Sequence, residues 1–215
     1  ATIEHISWQK DTISANIKIS TKERSGFTVK SLKSKFSFHP EGMIFKNLEI
    51  LTPNSRLSNY FALRYKNFNA DMSDFLEKVK MEGNFINSSI SSADIAFFAP
   101  ELKDLNKTLR VNGYVSGTVA NIQAKKFNLQ YGNDTRLDGD IRITGLPDID
   151  KTFIDFQSND FRTTYKDAVS FVPAIKDITN PSISELGYLR FKGKYTGYFR
   201  NFTAYGTLET ALGTV

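Results

Sequence analysis

The chain has 215 residues, 40% of them hydrophobic, with 28 Lys and Arg against 23 Asp and Glu for a net charge of +5. It has no cysteine, so a disulfide framework, a thiolate metal site and a thiol nucleophile are all excluded. No apolar run approaches the roughly 20 residues of a membrane helix, no signal peptide is recognisable, and the basic residues are scattered rather than banked into the stripe of a nucleic-acid binder.

Taken in chain order, the predicted elements are almost all strands. Ile13, Ala15, Ile17 and Ile19 alternate with Ser14, Asn16, Lys18 and Ser20, the period-two pattern of a strand with one apolar and one polar face. Turn signals follow at His39-Pro40-Glu41-Gly42 and Thr52-Pro53-Asn54. A short helix is expected over Ser73 to Val79, with Ser73 as its cap, and others just before Pro100 and Pro173. Alternation resumes at Leu109, Val111, Gly113, Val115, Gly117 and Val119, and Phe127 and Leu129 belong to the next strand. Beyond the turn at Tyr131-Gly132-Asn133-Asp134 come Leu137, Gly139, Ile141 and Ile143, and beyond Gly145-Leu146-Pro147-Asp148 come Leu189, Phe191, Gly193, Tyr195, Gly197 and Phe199. With 18 Phe and 9 Tyr the composition suits a pleated surface. The expected fold is all-β and antiparallel, with one face wet and a few short helices.

Self-similarity organises these strands. Leu109-Arg110-x-x-Gly113-x-x-x-Gly117-x-x-x-Asn121-x-x-Ala124 returns 80 residues later as Leu189-Arg190-x-x-Gly193-x-x-x-Gly197-x-x-x-Asn201-x-x-Ala204. Ser55-Arg56-Leu57 returns as Thr135-Arg136-Leu137 at the same offset. Asp94 and the run Phe98 to Leu105 return 73 residues on, as Asp167 and Phe171 to Ile178, which places an inserted loop around Thr179-Asn180-Pro181-Ser182. The expectation is one continuous segment over 1–215, with repeat copies at about 27–105, 106–178 and a truncated 189–215. The start at Ala1-Thr2 and the strand-like end at Gly213-Thr214-Val215 suggest boundaries inside a longer protein. Repeats of this kind stack into an elongated body, and glycines on the apolar-facing positions permit sharp sheet curvature.

Chemistry-bearing constellations are few. His5 and His39 stand far apart with no ligand partner at short spacing, and no phosphate-loop, dinucleotide or zinc-protease motif occurs. The acidic residues Asp148, Asp150 and Asp155, with Asp138 and Asp140 nearby, could share a calcium ion, but Asp is equally the ordinary residue of a turn after Pro147. Turn chemistry is the reading adopted. No catalytic residue, metal or cofactor is expected, and Trp8 reads as a sheet-face aromatic.

The stretch Asp94 to Leu102 resembles a segment of the TamB/AsmA-like proteins of Gram-negative bacteria. So do Gly145 to Asp155 and the closing Ala204 to Val215. The resemblance implies an internal fragment of an inner-membrane-anchored periplasmic protein whose body is a curved β-sheet, or β-taco, with an apolar groove. It implies transport of phospholipid between inner and outer membranes and support of outer-membrane assembly. The partners would be acyl chains here, and an outer-membrane barrel and an inner-membrane anchor through parts absent from this chain; no nucleic acid is implied. The groove candidates are Ile13, Ile17, Leu109, Val111, Val115, Val119, Phe127, Leu129, Leu137, Ile141, Ile143, Leu189, Phe191 and Phe199. Alternation alone equally allows a β-solenoid or adhesin-like spacer whose apolar faces close on one another, and an enzyme working through Asp148 stands as a third reading.

Overall fold

The computed structural model describes residues 1–24, 26–97, 107–148, 151–171, 173–177, 182–198 and 201–215. Five strands come first: β1 (Thr2–Gln9), β2 (Thr12–Lys22), β3 (Thr28–His39), β4 (Gly42–Leu51) and β5 (Arg56–Arg64). Helices α1 (Phe68–Met72) and α2 (Phe75–Lys78) lead to β6 (Lys80–Ser91), and α3 (Ser92–Ile95) precedes β7 (Thr108–Gly117). Then follow β8 (Asn121–Tyr131), β9 (Thr135–Thr144), β10 (Phe153–Thr164) and α4 (Tyr165–Phe171). Two 3-10 turns, Pro173–Asp177 and Ile183–Leu186, lead to β11 (Tyr188–Tyr198), β12 (Asn201–Thr210) and the two-residue β13 (Gly213–Thr214).

All thirteen strands join one antiparallel sheet in sequence order, open and uncurled. The expected all-β architecture with a few short helices is therefore what the chain adopts. No helix among the described residues is long and apolar enough to cross a membrane.

Among the described residues the sheet carries no full second layer; only short helices reach it, with Phe68 of α1 edge-on to Phe38 at one end of the strands and Ser170 of α4 bonded to Tyr131 at the other. The chain's accessible surface is 13853 Å², against about 10,000 Å² for a compact domain of this mass. Each strand packs on its sequence neighbours, and among the described residues no non-adjacent pair of strands makes a substantial contact. Buried apolar side chains are accordingly few. They are spread along the sheet, from Ala15 and Leu48 through Ala62, Val79 and Val111 to Ala124 and Phe156, and Tyr65 is buried where Phe68 of α1 packs against its ring.

The first helix differs from the expected one. Asn67, not Ser73, is its cap: the Asn67 side chain accepts from Ala70 N, and Asp71 Oδ2 accepts from Lys66 N and Asn67 N. Ser73 ends α1 instead, and α2 starts after Asp74. The pattern Asn67-x-x-x-Asp71 supplies two local acceptors for the exposed N–H groups of a first turn, so the helix begins six residues earlier.

Two buried or half-buried aspartates brace hairpin turns at the other end of the sheet. Asp94, 7% exposed, accepts hydrogen bonds from Thr52 Oγ1 (2.5 Å), Ser55 Oγ (2.5 Å) and Asn54 Nδ2 (3.2 Å), tying α3 to the β4–β5 turn. Asp167 accepts from Thr135 Oγ1 (2.9 Å) and Thr135 N (3.1 Å), tying α4 to the β8–β9 turn. Asp94→Ala would leave the buried Ser55 hydroxyl without its acceptor and the Thr52 hydroxyl with only the longer bond to the Ser55 carbonyl. Hydrogen bonds to a charged group contribute about 1.5–3 kcal/mol, so a loss of about 3 kcal/mol is expected, read as a fall in the denaturant midpoint. A midpoint unchanged within error would show that the brace contributes nothing.

Candidate functional site

Residues opposed in a strand register share one face of the sheet, and following the register exposes a single apolar surface. One row runs Trp8–Ile13–Phe38–Met43–Leu63–Met81–Gly117–Ile122–Ile143–Ile154–Gly197–Phe202 across β1 to β12. A second runs Ala15–Phe36–Phe45–Phe61–Gly83–Val115–Ala124–Ile141–Phe156–Tyr195–Ala204. A third runs Val111–Leu129–Leu137–Phe161–Phe191–Leu208. No charged residue enters any of them. Neighbouring strands lie about 4.8 Å apart, so the first row alone crosses about 50 Å.

Between the second and third rows lies a line of backbone irregularities. The register slips within the strand at Lys46/Leu48 in β4, Phe85/Ser88 in β6, Ala124/Phe127 in β8 and Ser158/Phe161 in β10. The intervening strands meet the line with a left-handed residue: Asn59 (φ 99°), Gly113 (φ 126°), Gly139 (φ 157°) and Gly193 (φ 154°). A slip moves the side chains beyond it to the other face unless the alternation also shifts. In β8 both happen: Ile122 and Ala124 occupy even positions, Lys126 (φ 48°) takes the extra place, and Phe127 and Leu129 continue the same face from odd positions. Of the glycines expected to permit curvature, Gly113, Gly139 and Gly193 fall on this line, whereas Gly117 and Gly197 lie in the first row.

The sequence candidates distribute as follows. Ile13, Ile17, Leu109, Val111, Val115, Phe127, Leu129, Leu137, Ile141, Ile143, Leu189 and Phe191 share the apolar face. Val119 does not lie on a strand: β7 ends at Gly117, and Val119 sits in the turn before Asn121, where Asn121 N bonds back to Thr118. Phe199 lies outside the described residues. Alternation missed Phe36, Phe38, Phe45 and Phe61, although Lys35-Phe36-Ser37-Phe38 carried the period-two signal. Most of the face is half-buried, with Ala15, Val111, Ala124 and Phe156 buried by their neighbours; its rims are bare, with Trp8 at 74% and Phe202 at 54%.

The acidic cluster disperses. Asp148 bridges Lys151 at 2.9 Å, and its carbonyl accepts from Thr152 Oγ1. Asp155 pairs with Lys194 at 3.3 Å, and Asp140 accepts from Lys126 N at 2.7 Å. Asp150 lies outside the described residues, and among those described no three ligand-type side chains gather for a metal. No family model, curated protein or solved structure matches the chain.

On the polar face, among the described residues, one carboxylate is held between two guanidinium groups. Asp160 lies between Arg162 (2.6 Å) and Arg190 (2.7 Å), and the Arg162 hydrogen bond, assisted by Arg190, holds its pKa down at about 2 against burial. A depressed carboxylate stabilises the fold fully above its unfolded value of 3.8, and that contribution disappears as pH falls toward about 2. Asp160→Asn is therefore expected to flatten the decline in stability between about pH 4 and pH 2, measured as denaturant midpoints. An identical decline in both proteins would remove Asp160 from the acid response.

Proposed function

We propose that the apolar face carries phospholipid acyl chains, and that the chain is a segment of a periplasmic bridge moving lipid between inner and outer membranes in support of outer-membrane assembly. The observation that carries this reading is the continuity of the face: three rows of apolar side chains that, among the described residues, no second sheet covers and that α1 meets only at Phe38. Soluble proteins rarely leave contiguous apolar patches above a few hundred Å² uncovered, and larger ones mark ligand or interaction surfaces. Burial of each methylene is worth about 0.8 kcal/mol, so an acyl chain laid across the rows is held by many equivalent contacts. That equivalence suits movement along the face, since no position forms a deep trap. The reading assigns the chain no catalytic step; the opposite face, with its Lys, Arg, Asp and Ser side chains, stays in water.

The test is mass spectrometry of organic extracts from the chain purified without detergent, paired with a hydrophobic dye. Near-stoichiometric phospholipid and a dye response after delipidation support lipid carriage. Lipid-free protein that ignores the dye supports the spacer reading, with the apolar faces closed on one another between copies or partners.

A further inference from the structure

On the opposite face the repeated arginines of the sequence fall into line. Arg56 and Arg136 stand 80 residues apart, as do Arg110 and Arg190. The register places all four in one row, Arg56–Ser89–Arg110–Gln130–Arg136–Arg162–Arg190–Glu209, from β5 to β12. Over its first five strands guanidinium and neutral polar side chains alternate, so cations recur about every 9.6 Å. Among the described residues Arg56 and Arg110 have no acidic partner, and Arg136 donates to the amide oxygen of Asn128 in that amide's satisfied orientation. The acidic groups that reach the row crowd its other end: Asp160 between Arg162 and Arg190, Glu209 on Arg190, and Asp134 and Asp138 beside β9. A concavity of ≈ 760 Å³ overlies the row from Arg110 to Arg190, edged by the hydroxyls of Thr135 and Thr163.

We propose that this row binds a linear phosphate-type polyanion laid across the strands, its oxyanions meeting Arg56, Arg110 and Arg136 in turn. Guanidinium is the side chain suited to bidentate contact with phosphate, and a row of such groups that runs from Arg56 into the concavity at Arg110 and Arg136 fits a chain better than a flat anionic membrane. No aromatic side chain stands in the row from Arg56 to Arg190, and Tyr188, the one aromatic ring lining the concavity, offers no series of platforms for successive stacked bases. The inference does not depend on lipid carriage, which uses the other face.

The experiment titrates the whole chain with inorganic polyphosphate of graded length over 50–200 mM salt. With three contacts and a slope of about −0.7 per phosphate neutralised, affinity should fall about 15- to 20-fold across that range. Arg56→Gln, Arg110→Gln and Arg136→Gln should each weaken binding and make the slope shallower by about 0.7. The double variant Lys46→Gln/Lys125→Gln, on the same face about 15 Å along the strands, should leave affinity within about twofold. Affinity should rise with polyphosphate length until the three arginines are spanned. Equal losses in the lysine variant, or no length dependence, would overturn the proposal in favour of diffuse attraction to a basic surface. Anionic phospholipid vesicles that displace polyphosphate, with a dependence on Lys46 and Lys125, would overturn it in favour of a membrane-facing surface.

Discussion

Val115→Glu is expected to strip the purified chain of lipid while leaving it folded. Val115 lies in the middle of the sheet, in the second apolar row, with Gly83 on one side and Ala124 on the other. Both neighbours are small, so an acyl chain crossing here touches Val115 closely. It is only half buried, and a glutamate there keeps its charge in water when no lipid is present. The fold therefore survives. Lipid covering the site must either desolvate a carboxylate, at several kcal/mol, or leave the row. A penalty of about 3 kcal/mol corresponds to more than a hundredfold loss of retention. Tyr114→Glu is the matched control: one residue away, 40% exposed and on the opposite face, it should retain lipid at the wild-type level. Extracts of the two variants, with circular dichroism to verify the fold, decide the matter. Undiminished lipid in a folded Val115→Glu protein would refute carriage on this face.

How far the sequence discloses the site depends on where each strand crosses the line of irregularities. In β7 the alternation Leu109, Val111, Gly113, Val115, Gly117 runs through unbroken, because Gly113 absorbs the irregularity at φ 126° without adding a residue. That strand is legible end to end. In β8 the extra place at Lys126 shifts the parity, so Ile122 and Ala124 read from sequence as the opposite face to Phe127 and Leu129, yet they lie together. Nothing in Ala124-Lys125-Lys126-Phe127 signals the slip, since Lys is not a residue that favours positive φ. In β10 the same shift separates Phe156 from Phe161. The strands and turns were thus readable from local chemistry, whereas the union of odd and even positions into one face is a property of the register. The arginine row is similar: the repeat offset pairs Arg56 with Arg136 and Arg110 with Arg190, but only the pairing of strands makes the two pairs collinear and inserts Arg162 between Arg136 and Arg190. The braces at Asp94 and Asp167 were visible as a 73-residue correspondence; their purpose emerges only when α3 and α4 return to the hairpin turns.

The line of irregularities is itself open to direct test at Gly193. With φ at 154° its added Cβ would overlap the Tyr205 carbonyl oxygen and stand 2.6 Å from the Gly206 Cα, inside β12. Gly206 faces it across the pair, with φ at 151° and its own Cβ direction aimed at the Lys192 carbonyl. The two strands approach here only because neither residue carries a side chain. Gly193→Ala must rotate φ or part the strands. Rotation breaks the left-handed link between the second and third apolar rows, and parting gives up the cross-strand bonds around it. A residue forced into such a region costs about 1–3 kcal/mol before any overlap is counted, so a loss of at least 3 kcal/mol is expected, a fall in Tm of roughly 6–12 °C for a chain of this length. Gly213→Ala supplies the comparison. Its φ of 141° is similarly unfavourable, but nothing lies within 4 Å of the added carbon, so it reports the cost of conformation without overlap. If the two variants lose equal stability, backbone conformation alone sets the glycine requirement; a markedly larger loss at Gly193 shows that close approach of β11 and β12 sets it. Destabilisation at Gly193 should also spread locally. Hydrogen exchange is expected to accelerate first in Phe191 to Tyr195 and Ala204 to Leu208, leaving the β4–β7 strands protected, because each strand bonds only to its immediate neighbours and loosening has, among the described residues, no second sheet through which to travel.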